Sequence, residues 1–155
     1  MTTAAAAEPA TEGAAERVRA AGLKVTAQRV AVLEALSGHA EHLDAESVFE
    51  RVRRDLPTTS LQAVYGVLAA LAGAGLLRKI EPAGSPALYE SRIGDNHHHL
   101  ACTSCHAVVD VECVVGEAPC LTPSNTNGFQ IHTAEVTFWG LCSDCQRTAS
   151  SEPKG

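Results

Sequence analysis

Two Cys-x2-Cys pairs, Cys102-Thr103-Ser104-Cys105 and Cys142-Ser143-Asp144-Cys145, constrain this 155-residue chain more than anything else in it. Each has the tight-turn spacing at which thiolates share a tetrahedral zinc ion, and two matched pairs supply four sulfurs. A site closed by four thiolates leaves no open position, so such a Zn2+ is structural and its binding energy is folding energy. Two disulfides or a dithiol redox pair are the alternative, and they suit an oxidising compartment. Residues 1–11 are Ala-rich, carry Glu8 and lack the basic start of a secretory signal, so the expected location is the reducing cytoplasm, which favours zinc.

With 45% apolar and 19% charged residues and no long apolar run, the chain has the composition of a globular protein and no membrane span. A net charge of -6 argues at first against nucleic acid, because phosphate contacts need Lys and Arg. The charge is unevenly divided. Residues 16–80 carry nine Lys and Arg against seven Asp and Glu, whereas residues 81–155 carry three against nine. A mildly basic half joined to an acidic half suits a DNA reader fused to a cation-binding module.

Residues 16–21 form a short helical pattern ended by Gly22, and Thr26 stands as N-cap before residues 27–36, where Val30, Leu33 and Leu36 recur at helical spacing. Asp44 caps a third helix with Val48, Phe49 and Val52 inward and Arg51, Arg53 and Arg54 outward, stopped by Pro57. Ser60 caps a fourth, with Val64, Val67, Leu68 and Leu71 on one face and Gly75 just past its end. Residues 76–80 and 87–92 are strand-like runs around Pro82, Gly84 and Pro86, the pattern of a hairpin. Helices leading into a hairpin make a winged helix-turn-helix, whose last helix enters the major groove of DNA. Beyond Asp95 short β-prone stretches follow at residues 100–101, 108–111 and 129–139. The expected class is α+β. A disordered tail spans residues 1–15, a winged-helix DNA-binding domain residues 16–92, a small α/β domain with the four-cysteine site residues 93–147, and a second disordered tail residues 148–155.

His97-His98-His99 precede the first knuckle on an extended stretch, so His97 and His99 share one face and His98 takes the other. Two imidazoles on one face invite a metal. Glu90, Asp110 and His42 can complete a mixed nitrogen and oxygen set, suited to iron or manganese rather than to a thiolate-loving metal. A solvated histidine loop is the alternative. Cys113 and Cys120 are open between buried fillers, a reversible thiol pair and extra ligands. His39, His106 and His132 are expected as surface or packing residues.

Gly22-Leu23-Lys24-Val25-Thr26 with Arg29, Ala63-Val64-Tyr65, the Gly75-Leu76-Leu77 turn, the three histidines and both knuckles stand in an order and spacing that resemble the ferric uptake regulator family. The resemblance runs from Glu16 to Cys145. It implies a homodimeric, metal-dependent transcriptional repressor, not an enzyme, that binds double-stranded operator DNA, with residues 93–147 as dimerisation domain. The structural Zn2+ would lie at Cys102, Cys105, Cys142 and Cys145, and a regulatory Fe2+ or Mn2+ at His42, Glu90, His97, His99 and Asp110. Lys24, Thr26, Arg29, Ser60, Gln62 and Tyr65 fall where DNA contacts are expected. Glu90 stands where zinc-sensing members resemble a Cys pattern, Asp110 resembles the peroxide-sensing branch, and residues 94–120 look like actinobacterial repressors of catalase genes. The resemblance therefore implies a peroxide sensor in which iron-catalysed oxidation of His42 or His97 expels the metal and releases DNA.

Two departures from the family pattern stand out. Ala63-Val64-Tyr65-Gly66 replaces the frequent Thr-Val-Tyr-Arg, which removes one phosphate or base contact. An additional metal site of some relatives retains His98 and Glu117, but Asn96 and Ala134 replace its other histidines. Within the family the alternative is an iron-, manganese- or nickel-responsive repressor without peroxide chemistry. Outside it stand a metal-dependent hydrolase, for which no nucleophile or general-base motif speaks, and a zinc-stabilised protein-interaction module.

Overall fold

Short polar caps divide the first half of the chain into helices. A computed structural model describes residues 13–37, 42–93, 97–112, 121–132 and 134–151. The first helices are α1 (Ala14–Ala20), α2 (Ala27–Leu36), α3 (Ala45–Asp55) and α4 (Leu61–Gly73). Thr26, Asp44 and Ser60 cap the last three, their side-chain oxygens accepting from the N–H groups of Arg29 at 3.2 Å, Ser47 at 2.7 Å and Ala63 at 3.1 Å. Each cap satisfies a donor that the first helical turn leaves over, a contribution of about 1 kcal/mol. Gly75 ends the run with a φ of 77°, a left-handed conformation that a side chain would strain, and turns the chain toward the hairpin.

The hairpin strands β2 (Arg78–Ile80) and β3 (Leu88–Glu90) pair antiparallel, and β1 (Leu43–Asp44) adds to the free edge of β3, giving the order β1-β3-β2. A second sheet has the order β5-β4-β6, built from β4 (His97–Cys102), β5 (Val108–Glu112) and β6 (Thr137–Gly140). In it β4 runs antiparallel to β5 and parallel to β6. Helix α5 (Ser143–Ser150) closes the described chain.

The apolar core lies in the helical half. Val18, Val32, Leu33, Leu36, Val48, Val64, Leu68 and Leu71 are fully buried in one cluster, which Leu77 and Tyr89 extend to the hairpin. The second sheet offers little of the kind. Among its described residues the buried apolar ones are Ala101 and Cys102, while Leu100, Val109, Phe138 and Trp139 are each about half exposed.

Several expectations are corrected in detail. Val32 rather than Val30 fills the core from α2, and Phe49 and Val67 are half-buried, packed against its edge. The strand expected over residues 129–139 is confined to Thr137–Gly140. Asn127 and Gly128 take up left-handed turn conformations, and Phe129 beside them is 76% exposed. Residues 14–15 and 148–150, expected in tails, belong to α1 and α5. The first turn of α5 is the second cysteine knuckle, with Cys142 as N-cap, so the Cys-x2-Cys spacing doubles as a helix start. The expectations for residues 1–12 and 152–155 and for His39, Asn96, Cys113, Glu117 and Cys120 lie outside the described residues.

Gly66 sits inside α4, and an added Cβ there would meet nothing within 4 Å. Gly66→Ala is therefore expected to stabilise the protein by up to about 1 kcal/mol by helix propensity. Leu68→Ala, two positions on and fully buried, is expected to cost about 2–5 kcal/mol. Urea unfolding of the two variants checks both; a destabilised Gly66→Ala would contradict this packing of α4.

Candidate metal centres

The register of the two sheets brings the first set of ligating groups together. Glu90 closes β3, and because Leu43 pairs with Tyr89, His42 just before β1 falls beside Glu90. On β4, His97 and His99 alternate onto one face, and His99 stands directly across from Asp110 on β5. His42 Nε2 lies 2.8 Å from Glu90 Oε2 and 2.9 Å from Asp110 Oδ1. His97 Nε2 and His99 Nε2 lie 3.1 and 3.2 Å from Glu90 Oε1, and 3.6 and 3.4 Å from Asp110 Oδ1. The rings of His42 and His97 each stack edge-on to His99, with centroids 5.0 Å apart.

This geometry fits a shared cation for His42, Glu90, His99 and Asp110, whose ligand atoms all lie within 4.8 Å of one another, with His97 joined to the group through Glu90. Adjacent ligand atoms in an octahedron with bonds of about 2.1 Å stand about 3.0 Å apart, close to the observed separations. Orientation points the same way. The ring nitrogens of His42 and the Oδ1 of Asp110 are buried without a hydrogen-bond partner, although carboxylate and imidazole approach within 2.9 Å. His42 Nε2 and Asp110 Oδ1, this close and without a hydrogen bond between them, are left open to a shared cation. Burial disfavours a charged His42, but the Glu90 and Asp110 carboxylates outweigh it and raise its pKa above the ordinary 6.5. Burial likewise opposes a charged Glu90, yet His42, His99 and His97 hold its carboxyl well below the usual carboxylate range.

Two arginines that sequence reasoning passed over flank the cluster. Arg92 Nη1 lies 3.3 Å from Asp110 Oδ2, and its Nη2 donates to Glu112 Oε1 at 2.6 Å. That contact occupies one side of Asp110 and leaves Oδ1 for the centre. Arg78 Nη2 donates to Glu135 Oε1 at 2.8 Å, and its Nε is 3.8 Å from Glu90 Oε1. The one signal for Arg78 is positional: it faces Glu90 across the hairpin ladder.

The second set is made of sulfur. Cys102 ends β4 opposite Gly140 at the end of β6, which places it beside Cys142 at the start of α5. The four free cysteines Cys102, Cys105, Cys142 and Cys145 hold their sulfurs within 4.8 Å of one another, with Cys105 Sγ 3.7 Å from Cys142 Sγ. Thiolates on a tetrahedral zinc with bonds of about 2.3 Å stand about 3.8 Å apart. Hydrogen bonds from the backbone N–H groups of Cys105, Cys142 and Ser104 lower the Cys102 thiol to about 6. At Cys145 a hydrogen bond to the Ser104 side chain acts in that direction too, but the Cys142 and Cys105 thiols prevail and push it up to about 12. The first thiolate forms readily, whereas the last needs a cation to offset the accumulated charge.

The residues expected at DNA divide between two helices. Gln62 and Tyr65 are exposed on the outer face of α4 with Gly66 and Ala69, and Tyr65 is not the buried ring it would be in a packing role. Lys24, Thr26 and Arg29 lie at the start of α2, where Arg29 Nη1 donates to the Lys24 carbonyl at 2.7 Å. Thr26 and Ser60 use their oxygens as cap acceptors, so each hydroxyl hydrogen is still available to a phosphate. His98 is buried on the face of β4 opposite His97 and His99, and His106 and His132 are exposed.

Comparison with known proteins places this arrangement. Residues 20–139 match the ferric uptake regulator family. Over 137 residues, 88% of this chain and 92% of the relative, the chain is 58% identical to the transcriptional regulator FurA of Mycobacterium tuberculosis. Over 132 residues, 84% of this chain and 90% of the relative, it is 52% identical to ferric uptake regulation protein 2 of Mycolicibacterium fortuitum. The structure of the ferric uptake regulator from Pseudomonas aeruginosa with manganese superposes with a TM-score of 0.65 at 26% identity, covering 83% of this chain and 96% of that one. The chain belongs to the ferric uptake regulator family, whose members are transcription regulators and not enzymes. Among the described residues no helix is long and apolar enough to cross a membrane.

A dication at the His42 cluster would compete with a proton there, because the carboxylates raise the His42 pKa. In the metal-free protein the raised His42 pKa contributes stability that is complete below 6.5 and lost as pH rises through the raised value. The depressed Glu90 value contributes stability present above 4.5 and lost as pH falls. Manganese(II) affinity is therefore expected to climb as pH rises above 6.5, with a proton released on loading near neutrality. Titration calorimetry in buffers of different ionisation enthalpy measures that release; equal heats in every buffer would contradict it.

Proposed function

We propose that the chain is a metal-dependent DNA-binding repressor in which a divalent ion held by His42, Glu90, His97, His99 and Asp110 selects the DNA-binding shape. One observation carries this: the cluster draws its members from both sheets, with His42 and Glu90 on the helical half and His97, His99 and Asp110 on β4 and β5. An ion gripped from both sides favours one arrangement of the halves over others, which is what a population shift requires. Residues 16–92 then act as the DNA-binding domain and residues 93–147 as the metal-binding dimerisation domain, with the chain working in the cytoplasm.

Helices α2 to α4 and the β2-β3 hairpin have the order of a winged helix-turn-helix, with α4 as recognition helix. Gln62 and Tyr65 on its exposed face meet base edges and thymine methyls, while Lys24, Thr26, Arg29 and Ser60 position the backbone. A second copy covers the apolar row Val109, Leu100 and Phe138, which are neighbours across the second sheet and exposed in the single chain. The homodimer presents two recognition helices to successive major grooves. The four cysteines hold a structural Zn2+.

The regulatory ion is Fe2+ or Mn2+, since the cluster offers nitrogen and oxygen without sulfur. The signal is peroxide, and the genes controlled include those for catalase and other oxidative-stress defences. Ferrous iron held there would catalyse the step by passing one electron to peroxide and recovering it from the ring, so that an imidazole gains one oxygen atom and the other leaves as water. His42 and His97, the two that the family likeness singles out although His99 faces the same carboxylates, are the rings that would take up oxygen, after which their grip on the ion would be lost.

A gel-shift titration with operator DNA checks both levels, comparing Mn2+, Fe2+, Ni2+ and Zn2+ with and without peroxide. Loading with Mn2+ or Fe2+ is expected to tighten binding by about tenfold or more, an effect that His42→Ala removes. Peroxide is expected to release DNA from the iron form only, with one oxygen atom's mass added to His42 or His97. Equal binding with and without metal would contradict the repressor. Unmodified histidines after peroxide would leave an iron or manganese sensor without peroxide chemistry.

A further inference from the structure

We propose that Arg78 is a built-in competitor for the regulatory ion and sets the metal concentration at which the protein switches, an inference that rests on the His42 cluster being a metal site. Arg78 on β2 and Glu90 on β3 are register partners across the hairpin. The guanidinium Nε stands 3.8 Å from Glu90 Oε1, the same oxygen that faces His97 and His99. At that distance the contact is too long for a hydrogen bond but close for two full charges. Arg78 therefore weakens the negative potential at Glu90 without occupying the oxygen's lone pairs. Salt screens it little, because the Glu90 side chain is 3% exposed and that of Arg78 is 21% exposed. The guanidinium keeps its charge at every pH the protein meets, so an arriving dication always meets it.

The same side chain has a second, closer partner. Arg78 Nη2 donates to Glu135 Oε1 at 2.8 Å, and Glu135 is 61% exposed. Glu135 also lines a cleft of about 200 Å3 together with Ile80, Glu81, Pro82, His99 and Thr137. His99 is the cluster member that lines this cleft, so the Glu135 carboxylate is a surface neighbour of the cluster. Arg78 thus divides its charge between two carboxylates, hydrogen-bonded to exposed Glu135 and standing off buried Glu90. Loss of Arg78 restores negative charge at both places. Loss of Glu135 frees Arg78 to move onto Glu90.

The test is calorimetric titration of manganese(II) into the zinc-loaded full chain at fixed pH and salt, for the parent, Arg78→Gln, Arg78→Met, Arg78→Lys, Glu135→Gln and the double variant Arg78→Gln with Glu135→Gln. The expected result is binding about tenfold tighter for Arg78→Gln and for Arg78→Met, and binding near the parent's for Arg78→Lys, which restores the charge. Glu135→Gln is expected to bind more weakly than the parent, and the double variant to bind more tightly than the parent but no more tightly than Arg78→Gln. The manganese concentration for half-maximal DNA binding in a gel shift should move by the same factors. A parent that binds manganese alongside an Arg78→Gln or Arg78→Met variant that binds no more tightly would overturn the role of Arg78 and leave the site standing. A double variant as weak as Glu135→Gln would also overturn it, by assigning the effect to Glu135's own charge. A parent that binds no manganese at all would remove the site, and this proposal with it.

Discussion

Glu90 and Asp110 are carboxylates taken largely out of water where the hairpin meets the second sheet, with side chains 3% and 12% exposed. Desolvating a carboxylate costs several kcal/mol unless opposite charge and hydrogen bonds compensate. Protein groups compensate in part: His42, His97 and His99 crowd the inner oxygens, Arg92 holds the outer oxygen of Asp110, and Arg78 stands off Glu90. His42 and the Asp110 Oδ1 still lack hydrogen-bond partners. A dication would complete the set, and because its ligands would come from two sheets, the ion's preference would become a preference about how those sheets sit.

That demand explains why the chain spends four cysteines elsewhere. The helical half is held by a fully buried cluster around Leu33, Leu36, Leu68 and Leu71. The second sheet has no comparable interior among the described residues, and small units without a core need a staple. Its middle strand, β4, carries both centres, with His97 and His99 toward one end and Cys102 at the other. A zinc ion joining Cys102 and Cys105 to the start of α5 would fix the strand that presents two of the imidazoles. The sulfur centre would then contribute stability, and through β4 geometry at the His42 cluster.

What the sequence revealed tracks how local each determinant is. Thr26, Asp44 and Ser60 were legible as caps because an N-cap acts on the three residues after it. The hairpin followed from Pro82, Gly84 and Pro86 between short β-prone runs. β1 escaped notice because two residues carry no periodicity, and α5 because its polar sequence begins inside a cysteine motif that reads as a metal knuckle. Val30 and Val32 are two residues apart, on different sides of α2, and burial in the assembled core selects Val32. At the cluster the ligating side chains were nameable from their chemistry and from family likeness. Arg78 and Arg92 were not, since their partners lie far along the chain, on Glu135, Asp110 and Glu112, and pairing across sheets leaves no pattern in sequence.

The central claim is that one ion bridges the two halves through nitrogen and oxygen alone. X-ray absorption at the manganese edge of the zinc-loaded full chain addresses it most directly. The account predicts only nitrogen and oxygen neighbours at about 2.1–2.2 Å, with imidazole outer-shell scattering that diminishes in both His42→Ala and His99→Ala. Sulfur neighbours, or a spectrum indifferent to either histidine, would contradict it.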